Sequence, residues 1–211
     1  MDSEQREIAS KHQDPELAAR IIRDIEQIEE NSHLAYGPIS QRLMTEIGQA
    51  ARSAVPDNWL FEATDDGLMA FASEWKANRG VNQRDAWFEL SDLIADEERD
   101  HSWVAVLLSK GNTQLILELK FRPGLVPVVE ALTDKDPVVV NVVKAGFKRH
   151  PETKRLYIPI ELDAGLMAKG CIENDLHAAL EPVREVVGLA VSVRAPIDAM
   201  LELVRAEAKK R

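Results

Sequence analysis

Apolar residues recur with helical spacing near the start of the chain, in the segment DPELAARIIRDIEQIEEN. Four of them share one face of a helix: Leu17, Ile21, Ile25 and Ile28. Asp14 can cap this helix and Pro15 suits its first turn. An apolar stripe of this kind has to be buried on something. We expect it to pack on a second helix of the same chain, with another copy of the protein as the alternative.

A second amphipathic helix follows the break AYGP, in PISQRLMTEIGQAARSA. The short connection between two amphipathic helices predicts an antiparallel pair. Pro56 comes after the end of the second helix and marks the boundary between the helical region and the rest of the chain. We therefore predict an acidic helical region over residues 1–54 and an α+β domain over residues 55–211.

The segment VPDNWLFEATDDGLMAFASEWK permits two interpretations. Apolar residues at i, i+3, i+4 and i+7 predict a helix over Asp66–Asn78, which is the interpretation we favour. A hairpin turning at residues 65–67 is the alternative, and it would bring Asp57 close to Glu74 and Lys76. The following segment, AWFELSDLIADEERD, is also predicted to be a helix, with one apolar face: Trp87, Leu90 and Ile94.

The second half of the chain is richer in strand patterns. The runs SWVAVLLS and TQLILELKF are predicted to form a hairpin about Lys110-Gly111-Asn112, and PVVVNVV, RLYIPIEL and GLAVSVRA are three further candidate strands. Helices are predicted in DLHAALEPVREVV and PIDAMLELVRAEAKKR. The fold class is therefore α+β: an N-terminal antiparallel helix pair, then a mixed, mainly antiparallel sheet of about four to five strands flanked by helices.

Composition narrows the class of protein. The 211 residues are 45% hydrophobic and 29% charged, which is typical of a globular chain. Cys171 is the only cysteine, so an intramolecular disulfide and a cysteine-rich zinc site are excluded. The sequence contains no apolar run of about 18 residues and begins without a secretory signal pattern. These features predict a cytoplasmic protein that does not enter a membrane.

The net charge of −10 is unevenly distributed. Residues 1–100 carry 22 acidic and 10 basic side chains, a balance of −12, whereas residues 101–211 carry 14 and 16, a balance of +2. The first half should therefore repel nucleic acid. Acidic helices that keep the chain in solution are the simplest explanation, and an acidic surface made for a basic partner is the alternative.

Two groups of residues are similar to the Mg²⁺ site of PD-(D/E)xK nucleases. The first is Asp57 with Glu74 and Lys76, which the predicted helix would separate. The second is Asp100 with Glu118 and Lys120, where the last two share one face of a strand. In such a site two acids hold Mg²⁺, and a lysine stabilises the developing charge. The predicted hairpin pairs Glu118 with about Ala105, which leaves Asp100 roughly 10 Å beyond the partner of Lys120.

A basic segment, KAGFKRHPETKR, supplies a different candidate site. Four of its side chains could bind phosphate or an acidic protein: Lys148, Arg149, Lys154 and Arg155. An ordinary solvated loop is the simpler interpretation, and nucleic acid is not favoured. Phe147 is the only aromatic residue in the segment, so it offers no stacking platform for single strands.

The chain contains no Walker A, G-x-G-x-x-G, G-x-S-x-G or H-E-x-x-H motif. We therefore predict a non-catalytic intracellular interaction protein without a cofactor. It would bind a protein partner, or associate with itself, through its N-terminal helices. The alternative is a Mg²⁺-dependent phosphodiesterase that uses Glu118 and Lys120 with Asp100, and a regulator that binds a small molecule is a third option.

Overall fold

The structure is a computed structural model that describes residues 14–64, 67–76, 84–94, 102–110 and 113–210. Its helices are α1 (Pro15–Tyr36), α2 (Pro38–Ala54), α3 (Trp103–Leu107), α4 (Val126–Ala131), α5 (Pro137–Lys144), α6 (Ala164–Glu173), α7 (Glu181–Ser192) and α8 (Arg194–Ala208). Its strands are β1 (Trp59–Thr64), β2 (Gly67–Ala72), β3 (Ala86–Ile94), β4 (Thr113–Phe121), β5 (Lys148–Arg149) and β6 (Leu156–Pro159), with a 3-10 turn at Ser73–Trp75. Within these ranges, no helix has both the length and the apolar character needed to cross a membrane.

The strands form one sheet in the order β1-β2-β3-β4-β6-β5, and every neighbouring pair is antiparallel. The α+β prediction is confirmed, including the N-terminal helix pair and the flanking helices. The described sheet has six strands, slightly more than the four to five expected. The longest pairing joins β3 to β4 over nine residue pairs, so these two strands form the centre of the sheet.

The N-terminal helix pair is bent about a single residue. Asp14 caps α1 as predicted, because its carboxylate accepts hydrogen bonds from the backbone of Glu16 (2.9 Å) and Leu17 (3.3 Å). Gly37 alone separates α1 from α2. The core face of α2 is buried and includes Leu43 and Ile47, whereas α1 has no buried residue.

The helix predicted over Asp66–Asn78 is wrong for the part that the structure describes. β2 pairs with β1 in a hairpin, with Trp59 opposite Ala72, and residues 65–66 and 77–78 lie outside the described ranges. Leu68 and Ala72 face the helices, while Phe71 points to the opposite face and is covered by the guanidinium of Arg84, 4.4 Å from the ring centre. Because both faces of this strand are buried, its apolar residues imitated helical spacing.

The helix predicted in AWFELSDLIADEERD is also wrong over Ala86–Ile94, which forms β3. Phe88 and Leu90 are buried on one face, and Trp87 and Glu89 lie on the other. This alternation with a period of two was present in the sequence. Trp87 and Leu90, three residues apart, would share one face of a helix, but they lie on opposite faces of the strand.

The hairpin predicted between SWVAVLLS and TQLILELKF is wrong, although its second strand is present. β4 is a strand, but SWVAVLLS contains α3, whose first turn is capped by Ser102 through a hydrogen bond from the backbone of Ala105. Strand β4 therefore pairs with β3, and Glu118 lies opposite Glu89 instead of Ala105. Of the predicted turn, residues 111–112 lie outside the described residues.

Two of the three remaining strand predictions are wrong. PVVVNVV forms α5, in which Val139 and Val142 are buried one turn apart on the side that contacts α8. GLAVSVRA spans the end of α7 and the start of α8. In both segments the packing of an apolar helical face overrides the strand propensity of valine. RLYIPIEL does contain β6, and the helix predicted at the C-terminus is confirmed as α8.

The core lies between the sheet and the helices and is continuous across residue 54, because buried side chains of α2 belong to the same cluster as those of the later elements. Its centre is aromatic: Trp59, Trp75 and Phe88 lie with ring centres 5.3–5.9 Å apart, and Phe147 stacks on Phe88 at 6.1 Å. The division into regions 1–54 and 55–211 stays a prediction.

Ionic contacts attach α8 to the end of the sheet. The buried carboxylate of Asp85 accepts hydrogen bonds from Arg122 and from Arg205 of α8, each at 2.8 Å. The indole of Trp75 donates to Asp198 of α8 at 2.6 Å. Sequence reasoning missed Asp85, since its two arginine partners are 37 and 120 residues away along the chain.

Candidate functional site

Glu118, the first acid of the predicted catalytic group, lies on the central strand β4. Its cross-strand neighbours are Glu89 on β3 and Tyr157 on β6. Leu117 and Leu119 point into the core, so Glu118 projects from the opposite face of the sheet. Only 5% of the residue is exposed. A carboxylate this deeply buried requires a cation or several hydrogen bonds.

Two cations satisfy the Glu118 carboxylate. Its Oε2 atom lies 2.5 Å from the guanidinium of Arg155 and 3.3 Å from Nζ of Lys120. Arg155 also donates to the Ser91 hydroxyl and to the backbone carbonyl of Asp92, both at 3.1 Å. The hydrogen bond with Glu118 raises the pKa of Arg155 against the opposing effect of desolvation.

Lys120 joins Glu118 to a second carboxylate. Its Nζ atom lies 3.6 Å from Oε1 of Glu89, and the other oxygen of Glu89 accepts a hydrogen bond from the Trp87 indole at 2.8 Å. Glu89 on β3, Lys120 and Glu118 on β4, and Arg155 immediately before β6 thus alternate in charge. We call these four residues the sheet ion cluster. The two acidic and two basic side chains of this cluster neutralise each other's charges.

A cavity of about 300 Å³ opens beside the sheet ion cluster, where β4 continues past the start of β6. Its lining includes Glu118, Lys120, Lys154 and Arg155, so the structure brings together four of the predicted site residues. The cationic groups already have partners, however. Lys154 donates to the backbone carbonyl of Pro151 at 2.6 Å, and the other two cations contact Glu118.

The other predicted binding residues lie on opposite faces of the edge strand β5. Lys148 is exposed and lies opposite Tyr157, on the same face as Glu118. The side chain of Arg149 is only 5% exposed and forms an ion pair with Asp134 at 2.8 Å. Arg149 also donates to the backbone carbonyls of Val129 and Leu132 at the end of α4, so it acts as a C-terminal cap. The basic segment is thus a β-hairpin whose cations point in different directions.

The described residues contain no group of three or more histidine, cysteine or acidic side chains that could hold a metal ion. Asp100, the predicted second ligand, lies outside the described residues. Within the described part of the site, Glu118 lies opposite Glu89 on the adjacent strand, and Lys120 contacts both. The involvement of Mg²⁺ stays a prediction.

The first predicted group is placed on a hairpin after all, although its side chains have other partners. Glu74 forms an ion pair with Arg194 of α8 at 3.1 Å and accepts a hydrogen bond from the Ser73 hydroxyl at 2.9 Å. The Ser73 hydrogen bond, a backbone hydrogen bond and then Arg194 lower the pKa of Glu74. The Asp57 carboxylate is fully exposed and lies 4.0 Å from Arg52.

A different candidate surface lies on α1. The predicted stripe is present, but it is only partly covered: Ile21, Ile25 and Ile28 are 42%, 46% and 43% exposed, and the adjacent Ile22 is 75% exposed. We call Leu17, Ile21, Ile25 and Ile28 the α1 stripe. Packing within the chain, which we favoured from the sequence, therefore leaves a little under half of each of these three isoleucines open. The helix contacts α2 and α3 without burying any of its own residues.

Comparison of the chain with protein-family models, with curated proteins and with solved structures found no match.

Proposed function

We propose that this protein is a non-catalytic intracellular interaction protein that binds another macromolecule through the α1 stripe. The single observation that carries the proposal is the exposure of that stripe along a helix of 22 residues with no buried residue. Contiguous exposed apolar surface of this kind is characteristic of interaction sites. The helix-in-groove mode of recognition uses the same spacing of anchor residues.

The exposed isoleucines of α1 would gain free energy from contact with a partner. Most of the stability of a helix in a protein comes from the packing of its apolar face, and α1 has no buried residue. Burying an isoleucine contributes about 1.5–3 kcal/mol. About half or more of each exposed isoleucine of α1 is still open, so the three of the stripe together with the adjacent Ile22 offer about 4 kcal/mol in all. A complementary apolar surface would contribute a similar amount, so the total of about 8 kcal/mol would offset an association cost in the lower half of the range of about 4–15 kcal/mol.

The described part of the predicted catalytic site supports the non-catalytic alternative. Arg155 and Lys120 both contact the Oε2 atom of Glu118, so this carboxylate is already paired with internal cations. The basic side chains proposed for phosphate binding are divided between the two faces of a hairpin. A site for a divalent cation or a polyanion would instead need unpaired ligands directed at one point.

Site-specific photocrosslinking in cells tests the proposal. A benzoyl-phenylalanine placed at Ile25 should give a discrete adduct with a macromolecule. The same group placed at Glu30 should give little, because Glu30 lies on the side of α1 opposite Ile21. Equal yields at both positions, or no adduct from Ile25, would contradict a binding role for the stripe.

A further inference from the structure

We propose that the α1 stripe is covered by the α1 stripe of a second copy of this chain, with the two helices antiparallel. This inference rests on the proposed function, since it names the macromolecule that α1 binds. It starts from the spacing of the exposed isoleucines. Ile21, Ile25 and Ile28 are separated by four and then three residues, which is the repeat of helices that pack side by side.

The stripe is complementary to itself when one helix is turned end for end. In antiparallel packing, the a positions of the seven-residue repeat on one helix meet the d positions on the facing helix. A two-fold axis between Gln27 and Glu26 then places Ile25 against Ile28 of the second copy, and Ile21 against its Ser32. The same contacts recur on the other side of the axis, as an isologous interface requires. The isoleucines meet at the centre, and the smaller serine lies towards each end.

Charges beside the stripe select the antiparallel orientation. In a parallel pair, Asp24 would lie next to Glu29 of the second copy, five residues further along, and two carboxylates would repel each other at each of two equivalent places. In the antiparallel pair, Asp24 lies near Asn31 and Ile22 lies near Glu29, so no like charges meet along the interface. The helix dipoles also oppose each other favourably in this orientation.

The connection to the rest of the chain favours the same arrangement. α1 is about 33 Å long, and α2 continues from its C-terminal end at Gly37. In an antiparallel pair, the Gly37 connections of the two copies therefore lie at opposite ends of the paired helices, whereas in a parallel pair they would lie side by side. Each chain carries a net charge of −10, so a larger distance between the parts of the two copies that follow α1 reduces their electrostatic repulsion.

Light scattering of the purified full-length chain over a dilution series tests the inference. We expect a mass near twice 23.6 kDa that falls towards the monomer on dilution. Ile25→Asp should raise the dissociation constant by a factor of roughly 30 or more, as for a central hot-spot residue. The matched control is Ile172→Asp, the same substitution at an isoleucine of α6 that is 86% exposed, and it should leave the mass unchanged.

Orientation is tested by disulfide formation in a Cys171→Ser background. A mixture of Ile21→Cys and Ser32→Cys chains should form a disulfide between unlike chains, whereas Ile21→Cys alone should not form one, because two copies of position 21 lie about 16 Å apart along antiparallel helices. Efficient disulfide formation by Ile21→Cys alone would overturn the antiparallel arrangement.

The failure of this inference differs from the failure of the proposed function. A chain that stays monomeric at every concentration overturns the second-copy assignment, and crosslinking from Ile25 to another macromolecule would then leave the proposed function standing. Circular dichroism and thermal unfolding show whether Ile25→Asp remains folded. If it does not, Ile25→Gln provides a milder change that should still raise the dissociation constant relative to the Ile172→Gln control.

Discussion

Replacing Glu118 by glutamine distinguishes a structural ion cluster from a catalytic metal site. The substitution keeps the shape of the side chain and removes its charge. In the structure, that charge accepts a hydrogen bond from Arg155 at 2.5 Å and contacts Lys120 at 3.3 Å, while the residue itself is buried. If the cluster is structural, the variant should therefore be less stable than the wild type.

The expected loss follows from these contacts. A hydrogen bond between charged groups contributes about 1.5–3 kcal/mol, and a neutral one about 0.5–1.5 kcal/mol, so the weaker bond from Arg155 to the amide costs about 1–1.5 kcal/mol. Lys120 is a third exposed, and the loss of its ion pair adds less than about 1 kcal/mol. The sum is about 2 kcal/mol, which corresponds to a fall in Tm of roughly 4–8 °C for a chain of this size.

Urea unfolding at neutral pH, with and without Mg²⁺, measures this difference. Glu89→Gln is the matched control, since Glu89 lies opposite Glu118 but is a third exposed and 3.6 Å from Lys120. It should cost less than about 1 kcal/mol. Two results together would refute the reasoning: Glu118→Gln is as stable as the wild type, and Mg²⁺ stabilises only the wild type. Neutralising a ligand of an empty metal site removes charge repulsion and so costs no stability, and a metal ion stabilises only the protein that binds it.

Three further predictions concern contacts elsewhere in the fold. Asp85→Asn should lower the free energy of unfolding by about 2–3 kcal/mol, because its charged hydrogen bonds with Arg122 and Arg205 are weakened. A loss below about 0.5 kcal/mol, measured by urea unfolding, would contradict a stabilising role for these two contacts. Ser73→Ala should return the pKa of Glu74 towards its ordinary value, with Arg194→Gln acting in the same direction but less, as followed by NMR titration. Since the pKa of Glu74 is lowered in the folded state, its stabilising contribution is present at neutral pH and is lost as the pH falls through the lowered pKa; an unchanged pKa in both variants would rule this out. Gly170→Ala should lower Tm by roughly 3–10 °C, because the added Cβ would lie 2.6 Å from a backbone oxygen; an unchanged Tm would show that the following turn moves freely.

The sequence predicted the fold best where a helix has one apolar face and clear end signals. α1 has an aspartate cap and a proline in its first turn, and α8 has a regular stripe at Ile197, Met200, Leu201 and Val204. Both helices are present. The predictions failed where an element is covered on both faces, as in β2, or where β-branched residues occupy a helix, as in α5. In these segments the local pattern does not specify the structure, and packing against distant elements decides it.

Part of the candidate site could be derived in the same way. The placement of Glu118 and Lys120 on one face of a strand followed from their spacing, and the structure has it. The strand that lies opposite could not be derived, because α3 was mistaken for a strand and β3 for a helix. Glu89 was consequently missed. The exposure of the α1 stripe was missed for another reason: amphipathic spacing shows that a face is apolar, but not which surface covers it.

The partner of Glu118 links two sequence signals that looked unrelated. Glu118-Leu119-Lys120 indicated a nuclease motif, and the segment ending in Arg155 indicated a phosphate-binding loop. Pairing of β4 with β6 places Glu118 opposite Tyr157, and this register brings Arg155, two residues away on the same face, onto the carboxylate. A buried carboxylate in the centre of a sheet needs a cation from an adjacent strand, and a cation so used is less available to a ligand. A single internal ion pair therefore explains both the acid of the Glu118-Leu119-Lys120 motif and one arginine of the basic segment. The partly exposed α1 stripe is the surface for which we propose a partner.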